Sequence, residues 1–222
     1  MRKYIFHSTL AMLILSALFG AGQLARTADK TISNGPSGQQ VNRRVTTQEL
    51  FVRALSAARV PGGFVWMMKC RGEEPRFPDD GVIPALDEAL GLITRLDARY
   101  KSRVENGVVN LLPAKGEPPL LKVRLKQFKV NADFNRALDQ LLALGEVKEG
   151  AARLGLKRNT MTLLVGPSPI GSRTSTIELD LRDVSLREAL NALARAHGRA
   201  VWQYREDRCQ GAKEFSVEFL AR

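Results

Sequence analysis

One pattern recurs four times in this chain and limits what it can fold into: [Leu/Phe]-x-x-Ala-Leu-x-x-[apolar]. It stands at Phe51/Ala54/Leu55/Ala58, Leu86/Ala89/Leu90/Ile93, Phe134/Ala137/Leu138/Leu141 and Leu186/Ala189/Leu190/Leu193. Spacing of i, i+3, i+4, i+7 places four side chains on one stripe of a helix. The alanine lets the backbone approach a neighbouring sheet, and the leucine supplies contact area. Two of the helices open on a candidate capping box, Thr46-x-x-Glu49 and Ser185-x-x-Glu188, in which each side chain bonds a free backbone N–H of the other residue. Gly198 is placed to end the last helix. Such stripes are common among amphipathic helices, so the case for repetition rests on what flanks them.

The flanks alternate. Ile177, Leu179 and Leu181 interleave with Glu178, Asp180 and Arg182, the mark of a half-buried strand. Residues 121–130 alternate through Val123, Leu125, Phe128 and Val130, slipping once at Gln127, which reads as a bulge. Residues 200–205 and 214–220 alternate as well, so the C-terminal part reads β-α-β-β. The front part gives a similar order. Residues 63–69 suit a buried strand, and Pro84 fits the first turn of a helix over 84–97. Strands over 100–104 and 108–112 meet at Asn106-Gly107, a hairpin signal because both residues tolerate positive φ. Leu86-Asp-Glu-Ala-Leu90 and Leu186-Arg-Glu-Ala-Leu190 nearly repeat one another, and Val65-Trp66 and Val201-Trp202 share a context. A helix over 147–155, a strand over 160–165 and a loop over 166–175 complete the reading. The expected fold class is α+β: two related β-α-β-β-type units, 46–113 and 120–222, with amphipathic helices packed on small sheets and a Pro-rich linker at 114–119.

The start of the chain reads as an address. Arg2 and Lys3 precede an apolar run from Leu10 to Phe19 and the small residues Gly20, Ala21 and Gly22. That is the layout of a cleaved secretory signal over 1–22, and the run is shorter than the roughly 20 apolar residues a membrane span needs. Contact with a membrane is expected only through this segment. Residues 23–45 are polar and aperiodic, a flexible mature N-terminus. Losing Arg2 and Lys3 lowers the formal charge from +11 to +9. In a periplasmic or secreted protein, that charge would attract anionic envelope polymers. Nucleic acid is not an expected partner, because no basic run is interleaved with aromatics. Export also bears on Cys70 and Cys209, the only two cysteines. An oxidising compartment and an even count favour one bridge between them, worth about 5 kcal/mol on the chain-entropy model. Two separate buried thiols are the alternative.

Residues 177–205, IELDLRDVSLREALNALARAHGRAVWQYR, resemble the short N-terminal (STN) domain of secretins and TonB-dependent receptors, and the similar domain of iron-transport anti-sigma regulators. The matching features are the alternating strand, the Asp-Val-x-Leu-x-Glu-Ala-Leu helix entry, the Leu-Ala-x-x-x-Gly exit and the aromatic strand that follows. The likeness covers about residues 175–220, with a fainter echo over 63–112. It implies a periplasmic β-α-β module that contacts other proteins of the envelope through a sheet or helix face. The family has no catalytic residues to carry over, and no pore is expected from these residues alone. The expected mode is strand addition at a sheet edge, with Phe215, Val217 and Phe219 on the candidate binding strand.

Chemistry is sparse. His197 is the only histidine after His7 and stands at a helix end, where a cation suits the helix dipole. Asp79-Asp80-Gly81 reads as a turn before a helix rather than a cation site. Cys70, between Lys69 and Arg71, would need a base as a nucleophile. Trp66, Trp202, Tyr100 and Tyr204 could line a groove but more often serve a core. No catalytic, metal or cofactor site is expected, and the reading is a non-enzymatic adaptor. A binder of anionic envelope polymers is the alternative, and an enzyme a remoter one.

Overall fold

The computed structural model describes residues 44–66, 74–159, 176–211 and 213–220. The expected signal segment, most of the polar N-terminus, the strand over 160–165, the loop over 166–175 and Cys70 lie outside the described residues. The first half comprises β1 (Arg44–Thr46), α1 (Thr47–Ala58), β2 (Gly62–Trp66), β3 (Arg76–Pro78), α2 (Leu86–Leu96), β4 (Tyr100–Glu105) and β5 (Val108–Pro113). The second comprises β6 (Arg124–Ala132), α3 (Phe134–Leu142), α4 (Gly145–Arg153), β7 (Lys157–Arg158), β8 (Ile177–Ser185), α5 (Leu186–His197), β9 (Val201–Asp207) and β10 (Glu214–Leu220). The fold class is α+β, as the alternating and helical periods predict.

Local chemistry sets the helix ends. Thr46 N–H donates to Glu49 Oε2 at 2.8 Å while Glu49 N–H donates to Thr46 Oγ1 at 3.2 Å. The same reciprocal pair forms at Ser185 and Glu188, at 2.6 and 3.2 Å. Both boxes satisfy N–H groups that the first helical turn leaves without partners. At the other end, α5 stops on Gly198 at φ 86° and α1 on Arg59 at φ 56°. Only the first of these is free of the Cβ penalty of left-handed backbone. The Asn106-Gly107 hairpin forms with φ of 49° and 77°.

Two expectations are corrected. Residues 44 and 45 are not flexible: they pair with β3, and Val45 is buried. Gln127 is not a bulge, since β6 and β8 keep one antiparallel register from Arg124↔Ser185 to Ala132↔Ile177. The slip is instead shared by both strands next to Asp183, whose φ is 49°, so no residue is inserted. The 114–119 segment leads straight into the second half. Pro119 opens a 3-10 turn that carries Leu120 and Leu121 into the core, both fully buried.

The order of elements repeats in space. Each half has a two-stranded antiparallel sheet, β1–β3 or β6–β8. Each also supplies three neighbours to a six-stranded sheet ordered β4-β5-β2-β9-β10-β7. Within each triplet the first pair is antiparallel (β4–β5, β9–β10) and the third strand runs parallel to the second (β2 to β5, β7 to β10). The halves therefore do not own separate large sheets. They meet where β2 lies parallel to β9, Gly62↔Val201 through Trp66↔Arg205.

Burial reveals the layers. Phe64, Leu111 and Val201 pack with α1 and α2 in one apolar cluster. Their chain neighbours Val65, Leu112 and Trp202 pack with α3 and α5 in another. Successive residues of a strand point to opposite faces, so the helices of the two halves cover opposite faces of the shared sheet. The central strands are accordingly buried on both sides: every residue of β5 is buried, and Val201 through Tyr204 of β9 are buried in succession. That explains why residues 200–205, expected to alternate inside and out, do not. Strands covered on both faces lose the alternation of a half-exposed sheet.

Candidate functional site

Two strand edges occupy the same position in the two halves, and they differ. The outer edge of β9 is taken by β2; β4, its counterpart, ends the sheet among the described residues. Counting from the matched helix entries Leu86 and Leu186, Val104 stands where Tyr204 does. Their hairpin partners, Val109 and Val217, correspond too.

The covered edge is built by close approach. A Cβ on Gly63 would fall 2.2 Å from the Trp202 indole and 2.5 Å from Asn110 Oδ1, so only glycine lets the Trp202 ring lie across β2. The indole N–H donates to Asn191 Oδ1 at 2.7 Å, and Asn191 Nδ2 reaches Glu105 Oε2 at 3.3 Å. Gln48 of α1 donates to buried Gln203 of β9 at 2.7 Å. Arg187 of α5 pairs with Glu105 at the β4–β5 turn and with Glu117 of the linker. Burial pushes the Glu117 carboxyl up despite the nearby cations Lys122, Arg103 and Lys101. It holds the Arg187 guanidinium below its usual range. The linker is thus tied to α5 by a partly buried ion pair.

The free edge has the opposite character. Lys101 through Val104 are exposed, and Val104 is 66% exposed. Lys101 and Arg103 point to one face, paired with Leu112 and Asn110; Val104 points to the other, paired with Val109. Leu96, at the end of the neighbouring helix α2, is 55% exposed.

The expected binding residues lie elsewhere in the packing. β10 pairs with β9 along its whole length and with β7 at Glu214 and Phe215 only. Phe215 and Val217 are buried, and Phe219 packs edge-on against Phe134 at 4.3 Å. These side chains serve the core, which corrects their assignment as a partner surface. Trp202, Tyr204 and Tyr100 are also core residues. Trp66 is half-buried, with the Arg205 guanidinium 5.0 Å from its ring and its N–H on Glu74 at 2.9 Å.

His197 sits against Phe134, ring centres 4.7 Å apart, and burial lowers its pKa. Asp79 accepts from Arg53 at 2.9 Å and from Gly81 N–H at 3.2 Å. Asp80 accepts from Val82 N–H at 3.0 Å. This is the turn chemistry the dipeptide implies. Cys209 is disulfide-bonded; its expected partner Cys70 lies outside the described residues. No group of three or more His, Cys, Asp or Glu among the described residues could hold a metal ion. A cavity of about 430 Å³ opens between the linker and the sheet, lined by Val65, Tyr204, Pro113, Pro118 and others. Two carboxylates on its wall already have partners, Glu117 with Arg187 and Glu206 with Tyr204 and Arg208. No described helix is long and apolar enough to cross a membrane.

Comparisons with models of known families, with curated proteins and with solved structures return no match. The free edge of β4 is a feature that sequence reasoning missed. Its signal was present, because Lys101 and Arg103 interrupt a strand whose counterpart reads Val-Trp-Gln-Tyr.

Proposed function

We propose that this chain is an exported, non-enzymatic adaptor: a tandem of two STN-like β-α-β-β units that bind other envelope proteins by strand pairing. The single observation carrying this reading is the β2–β9 junction. There two units of like element order are joined by parallel edge-to-edge pairing of five residues. A module that makes its own internal interface this way offers the same kind of interface to a partner. The leader-like residues 1–22, the resemblance over 175–220 and an oxidised Cys209 all favour the envelope as its place.

The polymer-binding alternative draws on the formal charge of +9, an excess that already subtracts the carboxylates paired with Arg53, Arg99, Arg124, Arg158, Arg187 and Arg208. Cell fractionation with mass determination of the mature N-terminus, followed by cross-linking in intact envelopes, tests the proposal. A processed chain joined to a defined envelope protein is the expected result. A full-length cytoplasmic chain would overturn it. Sedimentation with envelope polymers that fades steeply with salt would favour the alternative.

A further inference from the structure

The chain carries a template for its own missing contact. In the second half, β9 receives β2 as a parallel neighbour along Val201–Arg205. The first half presents the same edge at Lys101–Glu105 with no described strand beside it. We infer that the outer edge of β4 is the docking site for an extended segment of another protein, entering parallel to β4, with acidic side chains opposite Lys101 and Arg103 and apolar ones beside Val104. This inference rests on the adaptor reading and names the edge it uses.

The occupant follows from charge and exposure. Backbone N–H and C=O groups of an edge strand attract any extended chain, so the side chains must select which one. Lys101 and Arg103 project from one face, Arg103 paired with Glu105 of the same strand at 2.8 Å yet 62% exposed, and they reward carboxylates at alternate positions of an incoming strand. On the other face, Val104 is 66% exposed, and an incoming Val or Ile would cover it. A second copy of this chain is disfavoured by the same residues. Among the described residues, the strand that ends the sheet opposite β4 is β7, Lys157–Arg158. Setting it against Lys101 and Arg103 would bring like charges together, and such repulsion excludes partners as effectively as attraction selects them. The covered edge needs no such filter: there Val201 and Tyr204 are buried under β2 and the helices.

The test uses the mature chain and two acetylated seven-residue peptides, one alternating Val with Glu, the other Val with Lys. Fluorescence anisotropy at low ionic strength should give at least tenfold tighter binding of the Glu peptide. Hydrogen exchange should slow at the amides of β4 and at none of β10. A spin label on the peptide's N-terminus should broaden signals near Lys101 rather than Glu105, as parallel entry requires. The K101E/R103E variant should invert the peptide preference, and Lys101→Glu alone should reduce it. Equal binding of both peptides, antiparallel entry, or protection elsewhere overturns the inference. So does concentration-dependent dimerisation that protects β4, which would make a second copy the occupant. If an envelope partner is captured and its attachment survives K101E/R103E, the adaptor reading stands and this inference falls.

Discussion

The β2–β9 junction and the β4 edge are the same place in two copies of one arrangement. At the junction, Gly63 yields its side-chain space to Trp202, and Tyr204 is wholly buried. At the edge, Val104 fills the position of Tyr204 and is mostly exposed, with Lys101 and Arg103 on the strand's other face. The difference shows that strand order alone does not decide whether an edge becomes core or surface. What decides it is whether the side chains allow a second backbone to come close and are apolar on both faces once it has.

The comparison can be broken most forcefully at Trp202. Trp202→Ala should destabilise the protein by about 4 kcal/mol, the range for a buried indole that leaves a cavity. A urea midpoint near that of the wild type would show that the junction is not a core. Gly63→Val forces the same contact from the other side. It should cost about 3 kcal/mol by overpacking, because the clash is with a ring that is itself enclosed. The double variant Gly63→Val with Trp202→Ala should recover part of that loss, and strict additivity would separate the two residues.

Smaller effects sharpen the contrast between the halves. Ser185→Ala and Thr46→Ala should each cost about 1 kcal/mol, since both boxes are formed. Arg59→Gly should stabilise by about 1 kcal/mol by relieving left-handed backbone, whereas Gly198→Ala should destabilise by a similar amount. Acid should weaken the fold in two ranges. Burial lowers the His197 pKa from its ordinary 6.5, so the unfolded chain takes up that proton first and stability falls as pH drops below 6.5. The Glu188 carboxyl is lowered chiefly by the Ser185 N–H and hydroxyl bonds. Its contribution is present above the ordinary carboxylate value and is lost as pH falls through the folded one. Urea midpoints against pH should therefore lose the upper step in His197→Gln and show a smaller lower one in Glu188→Gln, since the Asp97 and Glu146 carboxyls are lowered as well. Smallest of all, Val104→Ser should change stability by no more than about 0.5 kcal/mol. A larger loss would mean that this edge is already covered.

The α+β class, the two capping boxes, the hairpin at Asn106-Gly107 and the buried helix stripes were legible before any coordinates. Each depends on residues a few positions apart. The candidate site was less legible. β10 carries Phe215, Val217 and Phe219, and from sequence its apolar alternation resembles that of an exposed edge strand. In the fold it pairs with β9 along its length and with β7 at its first two residues, and its aromatics face Phe134 and the second core. Conversely, Lys101 and Arg103 look like ordinary solvent-facing charges until β4 is found at the end of the sheet.

The sequence by itself determined the elements and their ends, because helix period, strand period and caps are set by neighbours within about one turn. Only the tertiary structure decided that two units share one sheet, that their helices cover opposite faces, and that one of two equivalent edges has no strand beside it among the described residues. Those outcomes rest on pairings between residues more than 100 positions apart, such as Gly63 with Trp202. No local period encodes them, because the close approach of two backbones depends on both partners at once.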